Sequence, residues 1–327
     1  MASATDLPTV PPGWERAPER LIRFAAPDGQ SCAWLAPDFG ANCVGYAVRR
    51  RGRWVQILHA AGPVALTAAP IRYGCPLLFP FPGHVRLARY RWAGVDHTLP
   101  SNVTERQHYV HGFAARHSWR VTHRARDGVV AEFSTLRDLP GGRRAAGYPF
   151  AIGLRLLVRL TNEALAVTLQ ATNEGQRAAP VGLGLHPHFA LGALGGDRAA
   201  VRVFLPGEQE HILAEAIPTG EKRAVADPEV LLPPRGQRML VARTSLGPLP
   251  LAMLAGPPGT LDIRLTAVEG CRDLLLFVPP LEPSISLEPH SCAPGAASQP
   301  EGHPDGLVAL GPGATRRLAI TVAVGEA

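Results

Sequence analysis

The sequence has almost no lysine. Lys222 is the only lysine among the 33 basic residues, so the net charge of +6 is carried by arginine. The chain also contains 34 glycines and 33 prolines, and this combination indicates a GC-rich coding bias rather than selection for a basic surface. Because no basic run is interleaved with aromatic residues, we expect no nucleic-acid partner.

Paired cysteines, long apolar runs and a leader-like start are also missing. An odd number of cysteines without CxxC spacing argues against a disulfide framework or a zinc ribbon. No apolar run approaches the ~20 residues of a membrane span, and the first residues show neither a basic nor an apolar leader segment. We therefore expect a cytoplasmic protein in a reducing compartment, with no membrane partner. The cysteines are Cys32, Cys43, Cys75, Cys271 and Cys292.

Helical periodicity is nearly absent, and proline and glycine interrupt the chain too often for long helices. Short β-type runs recur instead, and turn signals such as Asp127-Gly128 close them into hairpins. The predicted strands are residues 42–50, 53–60, 119–126, 129–136, 151–160, 165–172, 200–205, 261–267, 274–278 and 318–324.

Hairpin-linked strands over the whole length indicate an all-β chain folded as a large antiparallel sandwich. No linker or internal repeat divides the sequence, so we expect one domain over residues 1–327, with residues 1–20 as a loose lead-in. Residues 207–248 are polar and proline-rich, and we expect an irregular surface excursion there.

Three histidines, His108, His111 and His117, lie close together in the sequence and suggest a metal site at first sight. Their segment contains Gly112 and is not helical, so the spacing places no two ligands on one face. We expect neither a metal nor another cofactor.

Two further segments end an apolar run with an ionisable residue followed by proline. At His186 a glycine-rich strand stops because Pro187 cannot continue a ladder, and this histidine is either a satisfied core residue or a general acid or base. Glu288 is either paired with an arginine or held with a raised pKa for proton transfer. These residues alone leave both alternatives open.

Eight motifs, taken in order, resemble aldose 1-epimerases, in particular the branch with hexose-6-phosphate 1-epimerase-like proteins. The resemblance covers roughly residues 20–325 and implies the family's galactose mutarotase-like β-supersandwich in a single domain. The motifs are PLLFPFPG (76–83), HGFAARHSW (111–119), YPFAIGLRL (148–156), LAVTLQATNEG (165–175), GLGLHPHF (182–189), PTGE (218–221), SLEPHSCAPGAASQPEG (286–302) and GLVALGPGATRRLAITV (306–322).

The resemblance implies interconversion of the α and β anomers of a sugar, without a metal or nucleotide. It makes His186 the general acid at the ring oxygen, Glu288 the general base toward the C1 hydroxyl, and His111 the residue that orients the sugar. Opening a hemiacetal requires a proton to be taken from O1 while another is given to the ring oxygen. We expect a base and an acid on opposite sides of the sugar ring to do this.

The predicted substrate-binding residues depart from the family pattern. Where the family usually has an asparagine–arginine pair, this chain has Gly83 and His84. Histidine has a shorter reach and fewer donors than arginine, so Arg86 would have to replace the arginine from two residues away. His188 stands where a tyrosine is common. We predict His84, Arg86 and His188 as substrate contacts.

The aspartate that the family often carries after PTGE is also missing. Residues 246–254 contain no carboxylate, and Asp227 and Asp262 are the candidates to replace it. The residues for acid–base chemistry look kept, whereas those that read substrate hydroxyls look altered.

Three functions follow from this pattern. The favoured one is an anomerase acting on a free hexose or a hexose 6-phosphate, whose phosphate Arg86, Arg89 or Arg116 could bind. The second is an epimerase-like enzyme recruited to a non-sugar cyclic hemiacetal or another proton-transfer cyclisation. The third is a non-catalytic carbohydrate-binding protein, which the presence of both His186 and Glu288 disfavours. We expect a small-molecule sugar or sugar-phosphate partner and a monomer or homodimer.

Overall fold

The computed structural model describes residues 8–103, 107–244 and 251–327. Over these residues the fold is built from antiparallel β-strands, with two short α-helices, α1 (Pro63–Ala68) and α2 (Gly142–Ala145). In the described part of the chain, no helix is long and apolar enough to cross a membrane.

The strands follow in chain order. In the first third they are β1 (Ile22–Ala25), β2 (Ser31–Ala36), β3 (Asn42–Arg50), β4 (Arg53–Gln56), β5 (Leu77–Leu78), β6 (His84–Val85), β7 (Arg89–Trp92), β8 (Val95–Thr98) and β9 (Tyr109–Val110). In the middle they are β10 (Arg120–Ala125), β11 (Gly128–Ser134), β12 (Ile152–Leu160), β13 (Ala164–Asn173), β14 (Ala179–Pro180), β15 (Gly184–Leu185), β16 (His188–Ala190), β17 (Arg202–Phe204), β18 (Gln209–Ala214) and β19 (Ile217–Ala224). The last are β20 (Glu229–Val230), β21 (Met239–Thr244), β22 (Leu251–Ala255), β23 (Leu261–Glu269), β24 (Asp273–Val278), β25 (Ser284–His290), β26 (Ala309–Leu310) and β27 (Thr315–Glu326).

A nine-stranded sheet forms one layer, in the order β10-β11-β12-β13-β27-β23-β22-β17-β20. Its strands alternate buried and more exposed side chains, as β12 illustrates: Leu154, Leu156 and Val158 are buried, whereas Arg155 and Arg159 are exposed. This two-residue period is typical of a sheet with one face on the core and the other in water.

An eight-stranded sheet forms the facing layer, in the order β19-β18-β21-β24-β25-β15-β5 with β16 also paired to β25. Strand β25 is buried along its whole length. Successive side chains of a strand point to opposite faces, so Ile285 and Leu287 join the hydrophobic core, whereas Ser286, Glu288 and His290 share the other face. A buried face that carries polar groups needs partners for them, and this is where the candidate site lies.

The predicted all-β sandwich is confirmed. The predicted strand pairs 42–50/53–60, 119–126/129–136 and 151–160/165–172 appear as the antiparallel hairpins β3–β4, β10–β11 and β12–β13. The β10–β11 hairpin has a register shift between Val121 and His123. The strands predicted at residues 261–267, 274–278 and 318–324 correspond to β23, β24 and β27.

The prediction of an irregular excursion over residues 207–248 is wrong for its described part. This part contains β18, β19, β20 and β21, and β18 and β21 belong to the eight-stranded sheet. The polar composition is explained by exposure to solvent, because most side chains of β19 are exposed. Residues 245–248 lie outside the described residues.

Candidate active site

A pocket of about 350 Å³ opens where β24 and β25 of the eight-stranded sheet meet the small β6–β9 pair. This volume is within the range of small-molecule sites. Its wall combines apolar side chains with three histidines, two arginines and one carboxylate. The lining residues are Ile71, Arg72, Gly83, His84, Val103, Val110, His111, His186, Ala216, Arg238, Leu240, Leu275, Phe277, Pro280, Glu288 and Pro294.

Glu288 and His186 form the polar centre of this wall. Glu288 Oε1 lies 3.2 Å from His186 Nε2, and Glu288 Oε2 lies 3.4 Å from His290 Nε2. Glu288 is 2% exposed and His186 is 3% exposed. The two groups are side by side, which corrects the expectation that they would stand on opposite sides of a ring. The hydroxyl oxygen O1 and the ring oxygen of a hemiacetal are bonded to the same carbon, so adjacent groups can reach both.

His111 completes the cluster from the β6–β9 side. The backbone N–H of Gly83 donates to His111 Nδ1 at 3.1 Å, and the His111 N–H donates to the Gly83 carbonyl at 3.0 Å. Its ring lies 5.1 Å from the His186 ring, nearly perpendicular to it. Since Nδ1 accepts a hydrogen bond, the neutral ring has its proton on Nε2 and can only donate from that atom.

Gly112 explains why the HGF sequence can place this histidine. Its φ angle is +74°, and a Cβ atom there would lie 1.8 Å from the Phe79 carbonyl oxygen. The carbonyl of Phe79 accepts the Phe113 N–H at 2.8 Å. Only glycine allows this close approach, and it ties the His111 segment to the PLLFP segment.

Burial sets the proton affinity of the central pair. Burial raises the pKa of Glu288, and the neighbouring His290 and Arg238 oppose that rise. Burial also lowers the pKa of His186 well below 6.5, and the nearby His188 and His111 lower it further. Both shifts favour the uncharged forms, so the surroundings disfavour separate charges on the two residues.

His111 also stays neutral. Burial is the largest cause that lowers its pKa well below 6.5, followed by the charges of His290 and His84. A neutral His111 with its proton on Nε2 is a hydrogen-bond donor at the pocket rather than a source of protons.

The same three residues are close enough to be considered as metal ligands. One potential ligand atom from each of His111, His186 and Glu288 lies within 4.8 Å of the others. A metal requires an unprotonated nitrogen, and the Nε2 atom of neutral His111 is protonated because Gly83 occupies Nδ1. The donor set therefore suits a hydrogen-bond acceptor better than a cation.

The structure brings four of the six predicted site residues to the pocket and leaves two outside its lining. His84, His111, His186 and Glu288 line the pocket, whereas Arg86 and His188 do not. Arg86 is exposed, and its backbone N–H donates to Ser298 Oγ.

His188 lies behind His186 instead of facing the pocket. The two rings stack at 4.4 Å, 11° from parallel, and His188 is 1% exposed. Its Nε2–H donates to the Ile71 carbonyl at 2.9 Å. Burial lowers the pKa of His188 to about 3. Its contact is therefore with the catalytic candidate rather than with a substrate.

The arginines considered for phosphate binding lie elsewhere, as Arg86, Arg89 and Arg116 are absent from the lining. Arg72 and Arg238 line the pocket instead. Arg72 pairs with Glu282, and Arg238 lies 5.2 Å from the centre of the Phe277 ring. Sequence reasoning missed both because they belong to no quoted motif.

The missing family aspartate has no counterpart in the pocket lining. Asp227 is exposed and accepts the Glu229 N–H, and Asp262 lies on β23 in the other sheet. Neither lines the pocket. Of the segment 246–254, residues 246–250 lie outside the described residues, and the rest belongs to β22.

The aldose 1-epimerase family model matches residues 23–240, two thirds of the chain. The chain belongs to the aldose 1-epimerase family. A curated relative is the uncharacterised protein YihR of Escherichia coli (strain K12), which is 26% identical over 189 residues. That alignment covers 57% of this chain, and the chain spans 58% of the length of YihR.

Solved structures of family-like proteins share the fold. A galactose mutarotase-like protein from Clostridium acetobutylicum matches with a TM-score of 0.78 and 18% identity, over 94% of this chain and 95% of the other. The GalM/aldose epimerase homologue from C. elegans matches with a TM-score of 0.77 and 14% identity, over 94% and 98%. The chain therefore has the galactose mutarotase-like β-supersandwich fold that the motifs of this family imply.

Proposed function

We propose that this chain is an aldose 1-epimerase-type isomerase that interconverts the α and β anomers of a sugar or sugar phosphate. One observation supports this above the others: a buried carboxylate and a buried imidazole, Glu288 and His186, lie 3.2 Å apart at the wall of a pocket of about 350 Å³. A catalytic acid–base pair needs shifted proton affinities at a site open to substrate, and this pair has both.

The proposed reaction moves two protons. Glu288 accepts the proton of the O1 hydroxyl while His186 Nε2 gives a proton to the ring oxygen, and the bond between C1 and the ring oxygen breaks. The open aldehyde rotates about its C1–C2 bond and closes on the other face, with both roles reversed. Each positioned acid or base contributes ~10²–10⁴-fold to such a step. His111 donates from Nε2 to the ring oxygen or a neighbouring hydroxyl and orients the sugar.

Two arginines support an oxygen-rich or anionic substrate. Arg72 and Arg238 line the same pocket as the acid–base pair. Guanidinium groups present several donors in a fixed fork, which suits hydroxyl pairs and phosphate oxygens. In this proposal Arg72, Arg238 and His84 read the part of the sugar away from C1.

Exchange spectroscopy by NMR tests the proposal directly. The rate of α/β exchange is measured with and without protein for neutral hexoses, hexose 6-phosphates and a non-sugar cyclic hemiacetal. We expect acceleration for at least one sugar or sugar phosphate. Acceleration of the non-sugar hemiacetal alone would instead assign the chain to the recruited-enzyme alternative.

The control must account for general catalysis by protein side chains. Glu163 lies in the exposed turn between β12 and β13, so the variant Glu163→Gln keeps the site and should match the unaltered protein. Absence of acceleration for every compound, with the protein folded, would refute the proposed activity. Saturable binding without turnover would then indicate a carbohydrate-binding protein.

A further inference from the structure

Ser286 lies behind His186, on the side away from Glu288. It is fully buried on β25, and its Oγ lies 2.9 Å from His186 Nδ1 and 2.8 Å from the carbonyl oxygen of Pro187. From this geometry we infer that Ser286 is a positioning residue that fixes the His186 proton on Nδ1. Nε2 is thereby the atom that exchanges a proton in the pocket. This inference rests on the role of His186 proposed above.

The assignment of the proton follows from counting donors. A serine hydroxyl has one hydrogen, and a carbonyl oxygen can only accept. Both contacts of Ser286 Oγ are of hydrogen-bond length, so the hydroxyl donates to the Pro187 carbonyl and accepts from His186 Nδ1–H. The opposite tautomer would leave a buried carbonyl or a buried ring nitrogen without its partner, which costs ~1–3 kcal/mol.

A proton on Nδ1 decides what the other nitrogen can do. Nε2 of the neutral ring then carries a lone pair, and it faces Glu288 Oε1 at 3.2 Å. Two lone pairs at that distance repel, so the pair holds one proton between the carboxyl group and Nε2.

This arrangement allows His186 to act as an acid without becoming an anion. When the proton lies on Nε2, the ring is an imidazolium ion, and giving the proton to a ring oxygen leaves a neutral ring that Ser286 still hydrogen-bonds. In the opposite tautomer, a neutral ring could give its Nε2 proton only by becoming an anion. Ser286 therefore selects the tautomer in which His186 can act as an acid and recover as a base.

His188 packs against the face of the His186 ring, and Ser286 hydrogen-bonds to its edge. The two imidazoles stack at 4.4 Å, and His188 is the cross-strand partner of Ser286 in the β16–β25 ladder. The Nε2–H of His188 donates to the Ile71 carbonyl, which fixes the ring that stacks on His186. Rotation of His186 is restricted on two sides.

The chain contains a matched control two residues away. Ser284 lies on the same strand and the same face of β25, and like Ser286 it is fully buried. Its Oγ has no hydrogen-bond partner among the described residues. Ser284→Ala therefore reproduces the loss of a buried hydroxyl without touching His186.

The tautomer can be read by ¹⁵N NMR of the imidazole nitrogens, with the His186 signals assigned by their loss in His186→Asn among the 12 histidines. In the unaltered protein we expect a protonated Nδ1, and in Ser286→Ala a shift of the neutral ring toward the Nε2–H form. An unprotonated Nδ1 with a protonated Nε2 in the unaltered protein would overturn the inference. This readout is independent of turnover. A protein that lacks anomerase activity but has Nδ1 of His186 protonated would refute the proposed function and leave the tautomer assignment intact.

Kinetics provide the second test. We expect Ser286→Ala to lower kcat by roughly 10- to 100-fold, the usual effect of losing a partner that orients a catalytic ligand, with KM little changed. Ser286→Thr, which keeps a hydroxyl, should restore most of the rate, and Ser284→Ala should leave it unchanged. Equal kcat values for Ser286→Ala and Ser284→Ala would contradict the positioning role.

Discussion

Two buried histidine–carboxylate pairs lie on the eight-stranded sheet, and they differ in their access to a pocket and in their neighbouring groups. His186 and Glu288 are 3.2 Å apart, and His211 and Asp273 are 2.7 Å apart. All four side chains are almost completely buried. Only the first pair lines the pocket of about 350 Å³.

The surroundings of the second pair stabilise charge. Thr244 Oγ1 donates to Asp273 Oδ1 at 3.2 Å, and Arg272 Nε lies 3.6 Å from Asp273 Oδ2. Arg272 continues to Asp305, which also pairs with Lys222. This network links β18, β21 and β24, and we interpret the pair within it as structural.

The first pair has much weaker compensation. His290 lies 3.4 Å from Glu288, and both His290 and the charge of Arg238 lower the pKa of Glu288. Burial outweighs them and raises this pKa. A buried histidine–carboxylate pair is thus not by itself a site. Access to a pocket and a shortage of compensating charge distinguish the pair that can exchange protons from the pair that holds strands together.

The largest expected effect is on the rate of anomer exchange, which should depend on the first pair and not on the second. We predict that His186→Asn lowers the kcat of anomer exchange by ~10²–10⁴-fold, because an amide cannot transfer a proton at the ring oxygen. The free energy of unfolding should change little by comparison. NMR exchange rates with a urea titration check both quantities, and a rate within a few-fold of the unaltered protein would remove His186 from the mechanism.

The matched variant at the second pair should act on stability. His211→Asn removes a buried side-chain contact and leaves Asp273 without its closest partner, so we expect the free energy of unfolding to fall by about 1–3 kcal/mol. The kcat of the remaining folded protein should be nearly unaffected. If kcat collapsed while the urea midpoint stayed constant, the distinction between the two pairs would be lost.

A smaller effect concerns pH and stability. The pKa of Glu288 is raised above 4.5 in the folded protein, so the carboxyl group contributes stability below pH 4.5 that is lost as pH rises through the raised value. Glutamine does not ionise, so between pH 4 and pH 8 the stability of Glu288→Gln relative to the unaltered protein should rise with pH. Thermal melts over this range measure it, and a pH-independent difference would contradict the raised pKa.

The smallest effects are expected for the arginines beside the two carboxylates. Arg238→Ala should raise KM several-fold, by the ~1 kcal/mol of one substrate hydrogen bond, with the free energy of unfolding unchanged. Arg272→Ala should cost ~1 kcal/mol of stability, since it loses partly exposed ion pairs with Asp273 and Asp305, and leave KM unchanged. The reverse pattern would show that the pocket has been placed against the wrong pair.

The sandwich could be predicted from the sequence because short local segments determine its turns. Asp127-Gly128 and the alternation of β12 each specify a hairpin without distant information. The strands between residues 207 and 244 were not predicted, because β19 is largely exposed and its polar sequence resembles that of a loop.

The site was predictable only in part. His111, His186 and Glu288 were identified by ordered motifs, since each residue alone fitted a structural role equally well. Arg72 and Arg238 carry no local signal, because their position at the pocket depends on how distant strands pack. Ser286 begins a family motif, but its contact with His186 also depends on strand packing. The pair His211–Asp273 was missed for the same reason: it lies in ordinary strands without a motif.

The groups around the pocket are contributed by distant parts of the chain. Gly83 orients His111, and His186 and Glu288 come from β-segments that follow much later in the sequence. Contacts between distant residues form late and slowly in folding, because long loops must close first. Anomer exchange should therefore appear only when the final sheet is complete, so its recovery after dilution from urea would time the last step of folding.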